Sequence, residues 1–326
     1  MYLAVCLPLI LPILAAVSAR RLAEWLPPQT ATWLLTGSAV TLAVASSAML
    51  GLLALAAAVR IPEVAEIGHL SLRALTRQDP ASLPLGLVAA TLLAAAAAAA
   101  TRAAWYRSAA LVAAHHQARR LPGTGQVVVI TDEVADAYAV PGWPGRIVVT
   151  SGMMRALTAA EGRVLLAHEH AHAAGRHYLF TSAARLASAA NPLLRPLAAA
   201  VGYSVERWAD ERAAAAAGDR PLAARAIAKA ALAASAAPPR PAAYASALGV
   251  VPRQAAPPGQ AAMPRAAALR GAGVVPRRVA ALLSPAPRPR LLLLAIAVIL
   301  VAASGLSVLD AARDLHALIE FAQGGR

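Results

Sequence analysis

Long uninterrupted apolar runs dominate the hydrophobic pattern, and the charged residues gather between them. Four runs, 2–19, 32–59, 85–101 and 291–309, are long enough to cross a hydrocarbon layer of about 30 Å as helices. Between the third and fourth the pattern changes. QVVVIT (126–131) and RIVVT (146–150) are short β-branched runs and predict strands. Between them, residues 136–142 alternate small side chains with Tyr138 and Val140 before Pro141, which predicts an edge strand. From Val164 the apolar period lengthens, because Val164, Leu165, Ala167, Ala171 and Ala174 share one broad helical sector. Thr158 with Glu161 three residues later forms a capping box, so this helix is expected to begin near Ala159.

The stretch 178–201 is apolar enough to suggest a fifth crossing. It carries Arg185, Arg195 and the Asn191-Pro192 break, each costly at the bilayer centre. A helical hairpin, packed on the core or lying against the bilayer surface, is the expectation instead. Residues 221–236 read as helical. Residues 238–273 are Ala/Pro/Arg-rich without periodicity and read as a linker or flexible cover.

The fold class that results is a mainly α membrane protein, with about four transmembrane helices and an α+β domain over 102–290. Composition supports it: 59% of the 326 residues are hydrophobic and 14% charged, with a mean hydropathy of +0.58. The formal charge of +14 is almost all guanidinium, with Lys229 the one lysine among 29 arginines. No zinc finger, helix-turn-helix signature or aromatic-interleaved basic strand accompanies it, so membrane-flanking arginines explain it better than nucleic acid. Arg20, Arg21, Arg102, Arg107, Arg119, Arg120, Arg277, Arg278, Arg288 and Arg290 fall on one side of four crossings. The positive-inside rule then places 102–290 in the cytoplasm of a multi-pass plasma-membrane protein, with both termini outside. The first run, with no basic residue before it, reads as an uncleaved anchor rather than a signal peptide. Trp105 and Tyr106 are expected interfacial anchors, and His69 a solvated loop residue. The single Cys6 excludes an intramolecular disulfide and a cysteine-based metal site.

The capped helix carries the chemistry. In His168-Glu169-His170-Ala171-His172 the outer histidines are four apart and project from one face, where two imidazoles can grip one zinc ion. Glu169, beside the first ligand, is positioned as a general base towards water. His170 points away from that face. Zinc needs a third protein ligand, and Glu206, 34 residues past His172, supplies it. Asp210, one turn beyond, can accept a ring N–H from a ligating histidine and fix its tautomer. The alternative is an exposed helix whose acids face Arg207 and Arg212. His177, about 140° further round a continuous helix than His172, is the candidate for stabilising an oxyanion.

HExxH followed by ExxxD resembles the integral-membrane gluzincins: BlaR/MecR-type sensor-transducer peptidases, HtpX-type peptidases and CAAX-prenyl peptidases. The resemblance implies a zinc endopeptidase acting on protein or peptide substrates beside the bilayer. In these families a similar Asn/Asp-Ala-aromatic-Ala segment precedes the strand that leads to the zinc helix. By that likeness Ala137, Tyr138, Ala139 and Val140 bind substrate as an edge strand; from the residues alone they fit an ordinary edge strand equally well. Arg277 to Leu283 is similar to the Arg-Val-x-x-Leu-Leu stretch that closes the catalytic domain. Too few residues separate the two motifs for two crossings, which favours the BlaR/MecR type. The residues after the last crossing leave no room for an extracellular penicillin-binding domain and the Ser-x-x-Lys motif is absent from them, so the resemblance is expected to cover the protease module without the sensor. Cleavage of a BlaI/MecI-type repressor is one implied role. HtpX-like quality control, a non-catalytic membrane scaffold and a membrane-tethered DNA-binding regulator are the rivals.

Overall fold

The computed structural model describes residues 2–61, 66, 83–142, 145–236, 273–288 and 290–324. The loop around His69 and residues 238–272 of the Ala/Pro/Arg-rich segment lie outside these. In chain order the elements are α1 (Tyr2–Trp25), α2 (Pro28–Ala58), α3 (Leu83–Arg120), β1 (Val127–Ile130), β2 (Ala137–Val140), β3 (Arg146–Thr150), α4 (Ser151–Ala156) and α5 (Ala159–Ala174). There follow α6 (His177–Ala190), a 3-10 turn (Pro192–Leu194), α7 (Arg195–Ala217), α8 (Arg220–Ser235), α9 (Val274–Leu282) and α10 (Leu291–Gly324).

Three helices are long and apolar enough to cross a membrane among the described residues: α2, α3, and α10 over Leu291–Ala317. The first predicted run is helical, as α1, but is not among the three. Helix α3 runs on past its apolar half to Arg120, as expected, with Trp105 74% and Tyr106 65% exposed. α10 likewise continues as helix through the tail. Helices α2 and α3 meet at Gly86, where a Cβ would collide with the Cβ of Ala57. Lipid-embedded helices pack closely at small residues of this kind.

The three strands form one sheet in the order β1-β3-β2. β1 runs parallel to β3 and β2 antiparallel, with Tyr138 opposite Val148 and Ala139 opposite Ile147. β3 is thus central and fully buried, and β2 takes the edge position that its composition suggests. The alternation sends Tyr138 and Val140 into a cluster with Ala114, Ala118 and Val148 against α3. Ala137 packs on the opposite side, with Ile147, Met153 and Leu165 beneath α5. The short helix α4, which the sequence pattern does not announce, starts at Thr150, whose hydroxyl accepts the Met153 N–H.

The 178–201 stretch is a helical hairpin, α6 and α7, and it packs against the membrane helices. Phe180 meets Trp33 edge-on with ring centroids 4.7 Å apart, and Asn191 donates Nδ2–H to Ser46 Oγ at 3.0 Å. α6 therefore follows α2 from Trp33 to Ser46, a length of roughly 20 Å. One apolar cluster joins α1, α2, α6 and α7 through Leu11, Leu35, Leu42, Phe180, Leu197 and Trp208.

Helix α5 begins at Ala159 with the predicted box in place. The Thr158 N–H donates to Glu161 Oε2 at 2.9 Å, and the Glu161 N–H donates to Thr158 Oγ1 at 3.3 Å. Lys229 Nζ reaches the same carboxylate oxygen at 2.9 Å. The Thr158 backbone bond, with Lys229, holds the Glu161 pKa below its ordinary value of 4.5. A depressed carboxylate pKa means that the unfolded chain binds the extra proton, so this stabilisation is present above that value and fades as pH falls through it. Thr158→Ala is expected to cost about 1 kcal/mol at pH 7. Denaturation in detergent micelles at pH 7 and pH 3.5 checks it, with the loss shrinking at the lower pH, which lies below the ordinary 4.5 at which the unfolded chain takes up its proton.

Candidate metal centre

Helical spacing places His168 and His172 on one face of α5, and α7 lays Glu206 against them. The Nε2 atoms of the two histidines are 3.1 Å apart. Glu206 Oε2 lies 3.8 Å from His168 Nε2, and Glu206 Oε1 lies 3.6 Å from His172 Nε2. Among the described residues these three form a group able to hold a metal ion. A tetrahedral zinc ion with bonds of about 2.1 Å requires ligand atoms about 3.4 Å apart, so spacing and donor set both fit.

The protonation state of His172 fits as well. Burial pushes the His172 pKa down to about 3, leaving its imidazole neutral with a lone pair to donate. Burial acts the same way on His168, but the Asp210 carboxylate beside it outweighs that and leaves its pKa raised. Asp210 Oδ1 lies 3.1 Å from His168 Nδ1. That distance suits the orienting role read from the sequence, although the ring N–H does not point along a hydrogen-bond line.

One residue central to this site escaped the sequence reading. Arg278, from α9 and 3% exposed, donates Nε–H to Asp210 Oδ2 at 2.7 Å and Nη2–H to Asp210 Oδ1 at 2.6 Å. Its Nη1 lies 2.7 Å from Glu206 Oε2. Burial would raise both carboxylate pKa values, but the guanidinium prevails and holds both below their usual range. The sequence counted Arg277 and Arg278 among the membrane-flanking charges; Arg278 is instead the counter-ion of the buried acids. The Arg-Val-x-x-Leu-Leu likeness was the one signal that could have found it.

His177 is placed differently from its expected role. The 140° estimate assumed a continuous helix, but α5 ends at Ala174 and Arg176 adopts a left-handed φ of 47°. The chain folds back and sets His177 Nδ1 3.0 Å from His172 Nδ1, on the far side of that ring from its Nε2. It is 2% exposed and stacks obliquely on Trp208 at 4.6 Å between centroids. His177 is thus set within hydrogen-bond distance of the His172 ring. Gly175 makes this possible, because a Cβ there would lie 2.5 Å from His177 Nε2 and 2.9 Å from the Ala171 carbonyl oxygen.

Glu169 is buried and lines a small cleft together with Asp136, Ala137, Met153, His168 and Arg278. The start of β2 thus lies beside the general-base candidate. Of the four proposed substrate-binding residues, Ala137 lines this cleft, while the buried side chains of Tyr138 and Val140 turn away into the α3 cluster. Ala139 follows Ala137 in the alternation. His170 is exposed, as expected.

Two helix-borne histidines and a carboxylate from a second helix form a group that could hold a metal ion, with a glutamate beside the first histidine. Residues 100–205 match the model of peptidase family M48. The matched stretch runs from α3 through the HExxH helix to the residue before Glu206, and it supports a metallopeptidase. The match does not single out the BlaR/MecR type. No curated protein and no solved structure matches the chain.

Arg278→Gln strands two carboxylates in a buried site and is expected to cost about 3–5 kcal/mol at pH 7. The wild-type acids have depressed pKa values, so their stabilisation is lost as pH falls below the ordinary 3.8 and 4.5. In the variant the same acids protonate readily. Denaturation midpoints of the two proteins should therefore converge as pH falls from 4.5 towards about 2. Gly175→Ala is expected to cost about 1–3 kcal/mol through overpacking, measured in the same way.

Proposed function

We propose that this chain is a membrane-embedded zinc endopeptidase. The observation that carries the reading is the convergence of His168, His172 and Glu206 at ligand spacing, with buried Glu169 on the wall of the adjoining cleft. His168 and His172 would bind through Nε2 and Glu206 through its carboxylate. A divalent ion held there supplies Lewis acidity towards the scissile carbonyl and makes water acidic enough to attack near neutral pH.

The remaining work falls to the chain itself. Glu169 takes the proton of the attacking water and hands it to the leaving amide nitrogen. Asp210 and His177 hold the two imidazoles from behind, so that ring rotation does not lose the ligand geometry. β2, at the end of the strand order among the described residues, is the element that would align an extended peptide, with Ala137 beside Glu169 leaving room for the backbone.

The arginine distribution puts the reaction on the cytoplasmic side of the plasma membrane, with both termini outside. The substrate is a protein or peptide, not nucleic acid. By its resemblance to the BlaR/MecR type, the reaction is a regulatory cut in a BlaI/MecI-type repressor. HtpX-like quality control would show as many cleaved membrane proteins instead of a single cut.

Detergent-purified wild-type protein is expected to carry about one zinc ion per chain, and Glu206→Ala to lose it. Glu169→Gln should keep the zinc and lose at least about a hundredfold in cleavage rate. Metal analysis and a casein-cleavage assay check both. A folded wild-type protein that takes up no zinc when resupplied would make the chain a scaffold, and salt-sensitive DNA binding would favour the regulator.

A further inference from the structure

The metal-site helices are also fastened to the end of the first N-terminal helix, by residues adjacent in sequence to the site itself. Glu206 and Arg207 are neighbours on α7 and diverge by about 100°. Glu206 faces the histidines, whereas buried Arg207 donates Nη1–H to the Ala23 carbonyl at 2.7 Å and approaches the Glu24 carbonyl at 3.4 Å. Ala23 and Glu24 lie in the last turn of α1, where helix carbonyls have no partner of their own and a cation is favoured. Arg207 therefore caps α1.

α9 repeats the division. Arg278 points inward to Asp210 and Glu206, while Arg277 donates Nη1–H to Glu24 Oε1 at 3.1 Å and covers the Tyr203 ring at 4.7 Å. Tyr203 lies one turn before Arg207 on α7. The C-terminal end of α9 is held separately by Arg220, which donates to the carbonyls of Ala281, Leu282 and Ser284 and pairs with Glu211. A nine-residue helix is thus pinned at its far end by Arg220 and at its near end by Glu24.

We propose that Glu24 and Arg277 are positioning residues for the metal centre. The last turn of α1 fixes the near end of α9, hence the Arg278 fork, and through it the carboxylate of Glu206. A shift of α1 is then transmitted to one metal ligand without any contact between α1 and the metal. The inference rests on the zinc-peptidase reading of the site.

The test uses the full chain in detergent, loaded with zinc for affinity by chelator competition and with cobalt for the visible ligand-field spectrum. Glu24→Gln should weaken zinc binding by about tenfold, as expected for a residue acting behind a ligand, and alter the cobalt spectrum. Arg277→Gln should reproduce that spectrum, and Glu24→Asp should recover part of the affinity. The double variant Glu24→Gln/Arg277→Gln should be no worse than either single one, because both break the same link. Glu133→Gln, which removes a surface pair with Arg155 elsewhere on the domain, should change nothing. Wild-type affinity and spectrum in Glu24→Gln, additive losses in the double variant, or loss of zinc only in proportion to loss of folded protein would each overturn the proposal. A wild-type chain that binds neither metal would remove the peptidase reading and this inference with it.

Discussion

The Arg278 guanidinium between Asp210 and Glu206 is the interaction on which the rest of the site depends. Two carboxylates beside one buried and one partly buried imidazole would be expensive without a cation. Arg278 offsets that cost because its flat fork bonds Asp210 twice and reaches Glu206 with its remaining nitrogen. A lysine could neutralise the charge but could not bridge the two acids in that plane. The site thus draws on α5, α7 and α9, and α9 is brought in mainly for this one side chain.

Local rules made much of this legible. The capping box fixed the start of α5, the four-residue spacing put His168 and His172 on one face, and the β-branched runs fell into strands with the alternating segment at the edge. The readings that failed needed information from far along the chain. Arg278 is 68 residues from Asp210, and no periodicity in the Pro-rich stretch around it foretells a buried partner, so its charge was read as one that faces the membrane surface. His177 was misplaced for the opposite reason: a helix was extended through Gly175 and Arg176, whereas a non-glycine residue in a left-handed conformation ends it. Helix α4 is too short to produce a period at all.

Packing crosses the line at residue 101. Apolar runs look like membrane and mixed stretches look like a separate domain, but the largest apolar cluster takes its members from α1 and α2 on one side of that line and α6 and α7 on the other. The hairpin between the two metal-binding motifs is what joins them.

That hairpin carries a consequence for handling the protein. Its tip is held by the amide of Asn191 on the Ser46 hydroxyl, and its inner face by Trp33 and Phe180. Cut away from α1 and α2, residues 102–290 would present a greasy stripe headed by an orphaned amide, and such a surface invites self-association. Residues 102–290 are better regarded as a graft on a membrane stem than as a body on a tether, because their apolar face is completed by α1 and α2.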